Sequence, residues 1–129
     1  VLMMRLGAQV FDLMHAAAEG RLAQAQVNWA DDHALTVVLA AQGYPGSYEK
    51  GSEIKGLDAL PEDSDHMVFH AGTTRKGTSI LATGGRVLAV TARADDLATA
   101  QREAYALVDR IDWPEGFCRR DIGWRALGS

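Results

Sequence analysis

Two β-prone runs joined by a pair of glycines constrain the fold of this chain more than any other feature of its sequence. The runs are Thr78–Thr83 and Arg86–Ala92, and only Gly84-Gly85 separates them. The favoured two-residue turn between antiparallel strands needs positive φ angles, which glycine adopts without strain. The pattern therefore predicts a β-hairpin here, and with it an antiparallel sheet.

Other β-prone segments extend this predicted sheet. Ala34–Ala41 is a short, continuous apolar run with β-branched residues at its centre, which favours a strand covered on both faces. His66–Ala71 is a further strand candidate, Gln26–Trp29 alternates like a short strand, and Phe117–Leu127 can supply an edge strand. We expect about five or six strands in total.

A first helix is predicted near the N-terminus. Its apolar residues recur at the three- and four-residue spacing of one helix face, and Gly20 is placed to end it in a left-handed cap. These apolar residues are Leu6, Val10, Leu13, Met14 and Ala17.

A second helix is predicted after the β-prone run Arg86–Ala92. Asp95 or Asp96 can cap its N-terminus, and Pro114 would stop it. Its inward face would consist of Leu97, Ala100, Ala104, Leu107, Val108 and Ile111.

Three segments are predicted to connect these elements. Gly43–Tyr48 must form a loop because two glycines and a proline interrupt it, and Gly56–Asp65 is a mostly polar, solvated connection. Gly72–Ser79 has the glycine spacing of a phosphate-binding loop, but a β-pattern follows it instead of a helix. We therefore expect a strand-connecting loop with two basic residues, which leaves a weaker anion contact open.

Composition excludes several classes of protein. The chain has 129 residues, which fits one domain or one domain plus a piece of another, and its formal net charge of −4 excludes a basic nucleic-acid-binding surface. No apolar run approaches the roughly 20 residues of a membrane span, and no signal-peptide pattern is present. The single cysteine, Cys118, excludes an internal disulfide. We expect a cytoplasmic protein whose sequence, opening on Val1 inside an apolar pattern, is entered partway through.

The common catalytic and metal-binding motifs do not account for this sequence. His66 and His70 would lie about 13 Å apart on a strand at ~3.3 Å per residue, too far for one zinc ion. Ordinary hydrogen bonds by strand-end histidines explain them better. The paired aspartates at 31/32, 63/65 and 95/96 fall in predicted turns or at a helix cap. We therefore expect no catalytic residue and no metal site.

Two clusters could carry a function. Gly43–Gly51 is a glycine-bounded loop with two tyrosines and a lysine after a buried strand, and such loops often bind ligands. Arg119–Arg125 places three arginines around one aspartate, and arginine suits phosphate or carboxylate recognition. Tyrosines that only pack the loop, and a structural Arg–Asp network, are the alternatives.

Four stretches, taken in order, carry a resemblance to a known family. They are VVLAAQGYPGSYEKG, VFHAGT, LATGGRVLAVTA and RRDIGWRAL. From about Ala34 to Leu127 the chain resembles the C-terminal domain of the phosphoribosylamine–glycine ligases, or glycinamide ribonucleotide synthetases. The resemblance implies an α+β fold, a mainly antiparallel sheet with one packed helix. It also implies that residues 1–33 are the tail end of an ATP-grasp region, with a leftover helix, and that 34–129 are the ligase C-terminal domain.

The resemblance also implies an activity for a longer chain. Such a ligase joins glycine to 5-phosphoribosylamine with ATP, through glycyl phosphate, to give glycinamide ribonucleotide in purine biosynthesis, and Mg²⁺ bridges the nucleotide phosphates. The ATP-grasp lid and the metal ligands would lie upstream of Val1. This chain alone should bind neither ATP nor Mg²⁺ and should be inactive, and it should pack against the upstream ATP-grasp domains. Exposed Leu6, Val10 and Leu13 could make it self-associate as an artefact.

By the same resemblance, ten residues are predicted to bind substrate. They are Tyr44, Pro45, Tyr48, Lys50, His70, Gly72, Arg86, Arg119, Asp121 and Arg125. A plain hairpin turn for residues 84–86 and a buried ion pair for residues 121–125 remain alternatives. The rival functions are the C-terminal domain of another ATP-grasp ligase and a stand-alone ligand- or partner-binding module.

Overall fold

A long central strand pair organises the structure, a computed structural model that describes residues 1–61 and 63–128. Strand β1 (His33–Ala41) runs antiparallel to β6 (Arg86–Ala94), with Val37 opposite Val90. Both strands are rich in β-branched and apolar residues, which pack well on a pleated surface. The predicted strands over Ala34–Ala41 and Arg86–Ala92 are therefore confirmed, as is the α+β class with antiparallel sheets.

Two short strands complete the main sheet. Strand β3 (His66–His70), also as predicted, pairs with β6, and β7 (Gly116–Phe117) pairs with the end of β1. The four-stranded order is β3-β6-β1-β7. The predicted edge strand over Phe117–Leu127 is therefore confirmed only at Phe117. The end of the tail forms a short helix, α4 (Trp124–Leu127), instead.

A second sheet has three strands, in the order β2-β5-β4. These are β2 (Glu53–Ile54), β4 (Thr73–Lys76) and β5 (Ser79–Ala82). The prediction of a connecting loop over Gly72–Ser79 is wrong, because β4 and β5 form a tight hairpin with Lys76 opposite Ser79. Strand β4 is polar and largely exposed, so hydrophobic periodicity did not reveal it.

The predicted hairpin at Gly84-Gly85 is wrong, because β5 and β6 belong to different sheets. The chain changes sheets there, and Gly72 packs against Gly84 backbone to backbone. A Cβ on Gly72 would lie 2.6 Å from the Arg86 carbonyl oxygen and 2.8 Å from the Gly84 Cα. The N–H groups of Thr83 and Gly84 donate to the Gly72 carbonyl, and neither Gly84 nor Gly85 has a positive φ. Close backbone approach, and not turn geometry, requires glycine here.

Helix α3 (Leu97–Val108) covers one face of the main sheet. Asp96, one of the two predicted cap residues, caps its N-terminus and accepts hydrogen bonds from the Thr99 backbone N–H at 2.8 Å and the Thr99 hydroxyl at 2.9 Å. Its buried face consists of Ala100, Ala104, Leu107 and Val108.

Three related predictions need correction. The helix ends at Val108, so Ile111 lies beyond it and Pro114 does not stop it. Strand β1 is not covered on both faces, because Val38 is 40% exposed while Val37 is fully buried. The segment Gly56–Asp65 is not all solvated, since Leu60 is buried. Glu62 in that segment and Ser129 at the end of the predicted domain lie outside the described residues.

The N-terminal segment contains two helices where one was predicted. They are α1 (Leu2–Leu6) and α2 (Gln9–Ala18), and Gly7, with φ +55°, lies at the break. Gly20, with φ +70°, follows α2 as predicted. The predicted strand over Gln26–Trp29 is wrong, since this stretch pairs with no strand among the described residues.

One arginine attaches this segment to the main sheet. Arg93 on β6 donates to the Met4 carbonyl at 2.7 Å, and its Nε lies 2.5 Å from Asp32 Oδ2. The far side of α2 is open, with Phe11 75% and Met14 67% exposed. Over residues 1–61 and 63–128, every helix is too short or too polar to span a membrane.

Candidate functional site

The face of the main sheet opposite α3 carries a groove of about 370 Å³. Successive strand residues point to opposite faces. Val37 and Leu39 therefore pack towards α3, whereas Thr36, Val38 and Ala40 form the floor of the groove. We call this feature the Tyr44 groove. Its floor is mainly apolar.

One wall of the Tyr44 groove comes from the glycine-bounded loop after β1. Tyr44 and Pro45 line it, and their peptide bond is cis. The Tyr44 ring lies directly over Gly85, where an added Cβ would come within 2.7 Å of its Cε2. Tyr48 meets Tyr44 edge-on at 6.3 Å between ring centroids. The absence of a side chain at Gly85 thus allows Tyr44 to occupy this position.

The opposite wall follows β7 and consists of Phe117, Cys118, Arg119 and Ile122. Helix α3 anchors it through the Tyr105 hydroxyl. This group donates to the Arg119 carbonyl at 2.8 Å and accepts from the Ile122 N–H at 3.0 Å. The wall is therefore connected to the core through two hydrogen bonds of one side chain on α3.

Arg119 and Asp121 form an exposed, two-pronged ion pair. Arg119 Nε donates to Asp121 Oδ1 at 2.9 Å, and Nη2 donates to Oδ2 at 2.6 Å. These hydrogen bonds raise the pKa of Arg119 and lower the pKa of Asp121. The side chains are 67% and 52% exposed, so this ion pair lies at the surface.

Arg86 lies at the start of β6 and also lines the groove. Within residues 1–61 and 63–128, its exposed guanidinium makes no ion pair and no hydrogen bond. The Tyr44 groove therefore has one arginine whose charge is neutralised, Arg119, and one whose charge is not, Arg86.

The structure brings some of the ten predicted substrate-binding residues together. Tyr44, Pro45, Arg86 and Arg119 line the groove. Tyr48 does not line the groove but contacts Tyr44, and Asp121 does not line it but pairs with Arg119.

The other four predicted residues lie elsewhere. Lys50 approaches the Tyr48 ring, with its Nζ 5.9 Å from the ring centroid. His70 binds Thr73 Oγ1 at 2.9 Å and faces a separate depression, and Gly72 lies at the sheet crossing. The guanidinium carbon of Arg125 lies over the Trp124 ring, 5.4 Å from its centroid.

Sequence reasoning missed six groove residues, namely Thr36, Val38, Ala40, Phe117, Cys118 and Ile122. A signal existed only for Thr36, Val38 and Ala40, which alternate with buried Val37 and Leu39 along β1. The other three belong to a tail whose place beside β1 depends on the two-residue pairing of β7. No local pattern encodes that pairing.

His66 makes ordinary hydrogen bonds, as predicted. Its Nδ1 lies 3.0 Å from Asp63 Oδ1, and its Nε2 lies 3.2 Å from Glu103 Oε2 on α3. Burial opposes protonation of the ring, but the two carboxylates outweigh it and raise the pKa of His66. The same contact lowers the pKa of Asp63. His66 therefore links a loop, β3 and α3 through charge.

Comparison with known proteins identifies the family. The profile described as "Phosphoribosylglycinamide synthetase, C domain" matches residues 34–125. This chain belongs to that family. A phosphoribosylamine–glycine ligase from Mesorhizobium japonicum is 53% identical over 127 residues, which cover 98% of this chain and 30% of the relative. The chloroplastic phosphoribosylamine–glycine ligase of Arabidopsis thaliana is 50% identical over 129 residues, which cover 98% of this chain and 24% of that relative.

A solved structure supports the same assignment. The crystal structure of a phosphoribosylamine–glycine ligase from Thermotoga maritima matches with a TM-score of 0.72 and 34% sequence identity. The match covers 92% of this chain and 28% of that one. This phosphoribosylglycinamide synthetase C domain and its N-terminal segment thus span only 24% and 30% of the two curated relatives named above.

Proposed function

We propose that this chain is the C-terminal part of a phosphoribosylamine–glycine ligase. Residues 1–33 are the tail end of its ATP-grasp region, and residues 34–129 are its C-terminal domain. The observation that carries the proposal is coverage: relatives named as this ligase match 98% of the chain but are only about 30% covered by it. The open side of α2, with Phe11 and Met14, supports a neighbouring domain there, since an apolar patch of this kind commonly marks an interface.

The whole enzyme would join glycine to 5-phosphoribosylamine with ATP, through glycyl phosphate, to give glycinamide ribonucleotide for purine biosynthesis. ATP and Mg²⁺ would be held by the upstream domains. Among the described residues, no three His, Cys, Asp or Glu side chains converge as metal ligands, so we assign none of them to Mg²⁺. We place the enzyme in the cytoplasm; the plant relative is named as chloroplastic.

In this proposal the Tyr44 groove forms one wall of the active-site cleft. A mixed carboxylic–phosphoric anhydride is readily hydrolysed, so the cleft must exclude water while the amine attacks. Tyr44 and Phe117 would supply apolar cover, and Arg86 would supply positive charge. The chain's own part is therefore to bind and orient substrate and to keep water out.

The test compares the full-length parent enzyme with this chain. ADP formation is measured with ATP, Mg²⁺, glycine and phosphoribosylamine, and with each substrate omitted in turn. We expect activity in the parent that needs both glycine and phosphoribosylamine, and none in the chain alone. A parent that is inactive, or active without either substrate, would overturn the proposed reaction. Turnover by the chain alone would overturn the assignment of the chemistry to the upstream domains.

A further inference from the structure

We propose that the Tyr44 groove holds the phosphorylated pentose, with Arg86 as the side chain that contacts its phosphate. The inference rests on the proposed function and makes it more specific. It starts from the difference between the two groove arginines. Arg119 already has both prongs of its guanidinium on Asp121, whereas Arg86 has no acidic partner in the described part of the chain. A bound anion would gain far more from Arg86 than from Arg119.

The lining of the groove favours a sugar phosphate over the other substrates. Val38, Ala40 and Ile122 present apolar surface that suits the carbon framework of a pentose. Glycine, the smallest amino acid, would leave most of the 370 Å³ unfilled. A triphosphate would need more positive charge than one unpaired arginine provides. A single phosphate on a carbon framework matches both the apolar floor and the one available charge.

The backbone holds Arg86 in a defined place. The next residue, Val87, is fully buried, and the preceding Gly85 lies beneath the Tyr44 ring. The Arg86 carbonyl lies against Gly72 at the sheet crossing. These contacts fix the backbone of Arg86, and its exposed side chain is the part that can reach a bound anion. Arginine also offers the planar, forked set of donors that matches phosphate oxygens.

The groove contains its own chemical reporter. Cys118 is the only cysteine of the chain, lines the groove and is partly exposed. A ligand that fills the groove should slow alkylation of its thiol. Ribose 5-phosphate is a stable probe for the sugar-phosphate part of the substrate, and ribose and inorganic phosphate separate the contributions of its two halves.

The first experiment measures KM for all three substrates in the full-length enzyme carrying Arg86→Gln. We expect KM for phosphoribosylamine to rise about tenfold or more, because a charge-assisted hydrogen bond to phosphate is lost. The KM values for glycine and ATP should stay within about twofold, since in this proposal neither substrate contacts Arg86. Arg86→Lys should recover part of the loss, because it keeps the charge but not the fork.

Arg102→Gln is the matched control. Arg102 is exposed on α3, on the opposite side of the sheet, and the variant makes the same change of charge. All three KM values should match the wild type. A rise in KM for phosphoribosylamine in this control as large as in Arg86→Gln would attribute the effect to net charge and overturn the inference.

The second experiment follows alkylation of Cys118 in the full-length enzyme by peptide mass spectrometry. Ribose 5-phosphate should slow alkylation more than ribose or phosphate alone, and Arg86→Gln should abolish the difference. A selective rise in KM for glycine or ATP, or no change in any KM together with no protection of Cys118, would overturn the inference. If Arg86→Gln does not fold, the inference is tested by the KM values of Arg86→Lys and by the protection of Cys118 in the wild type. A parent with no ligase activity would refute the proposed function, and the protection experiment would still test the groove.

Discussion

The two faces of the main sheet are built from neighbouring residues and behave in opposite ways. On the α3 face, Val37, Leu88 and Val90 are completely buried. On the groove face, Val38 is 40% and Phe117 is 38% exposed. Alternate residues of β1 therefore have different roles. Those on the α3 face stabilise the core, and those on the other face form the groove. The difference shows that an exposed apolar residue in a core strand can mark a site.

Adjacent aspartate substitutions should separate the two faces most sharply. Val37→Asp buries an unpaired charge against α3 and should cost more than about 4 kcal/mol of unfolding free energy, or prevent folding. Val38→Asp places the same charge in the open groove and should cost less than about 1 kcal/mol. Urea unfolding of both variants measures the difference. Equal losses of unfolding free energy in the two variants would show that water is excluded from the groove face as fully as from the α3 face.

Gly85→Ala tests the packing of the groove wall. The new methyl group overlaps the Tyr44 ring, and overpacking of this kind should cost about 1–3 kcal/mol. In a Tyr44→Ala background the same change should cost much less, because the obstructing ring is gone. A double-mutant cycle by urea unfolding measures this coupling. Additive effects would mean that Tyr44 does not rest on Gly85.

The α3 face should also carry a pH dependence, which comes from His66 and its two carboxylate partners. The pKa of His66 is raised above its ordinary 6.5, so its pairing with Asp63 and Glu103 contributes fully below pH 6.5 and fades as pH rises through the raised value. The pKa of Asp63 is lowered from 3.8, so its share is present above pH 3.8 and is lost on further acidification. Stability from this cluster is therefore greatest between these values.

Urea midpoints at about pH 5.5 and pH 8.5 test this window. His66→Gln should reduce the fall in stability between the two values, and Glu103→Gln should reduce it in part. An unchanged fall in His66→Gln would remove the cluster as its cause.

The smallest predicted effect concerns the cap of α3. Asp96→Ala removes the acceptor for both Thr99 hydrogen bonds and should lower Tm by about 2–4 °C. Asp95→Ala is the neighbouring control, since the Asp95 side chain does not cap the helix, and its Tm should stay near that of the wild type. Thermal unfolding followed by circular dichroism measures both. A larger fall in Tm for Asp95→Ala than for Asp96→Ala would show that Asp95, and not Asp96, caps the helix.

Sequence reasoning worked best where neighbouring residues decide the structure. The helical spacing of apolar residues and the Asp95–Asp96 pair predicted α3, and the apolar run predicted β1, because local periodicity and a local cap specify them. It failed at Gly84-Gly85, where the decisive partner is Gly72 in another part of the chain. It also failed at Gln26–Trp29, which alternates like a strand but pairs with no strand in the part of the chain that the structure describes.

The groove was predicted in part for the same reason. The resemblance selected Tyr44, Pro45, Arg86 and Arg119, and the structure places all four on one surface. It could not distinguish the paired arginine from the unpaired one, because the distinction depends on Asp121 and on the shape of the tail. Residues such as Cys118 reach the groove only through pairing between distant segments, which no spacing reveals.

The crossing of Gly72 and Gly84 has a consequence for how this domain can change over evolution. With backbone against backbone, that point accepts no side chain, so the strands on either side of it cannot be shifted without moving Arg86. The β4–β5 hairpin beyond it is different, since an added Cβ at Gly77 in its tip meets nothing within 4 Å. Gly77 itself has a φ of +62°, which favours glycine, but the open space around the tip allows its length to vary, and a peptide inserted there would leave the groove in place.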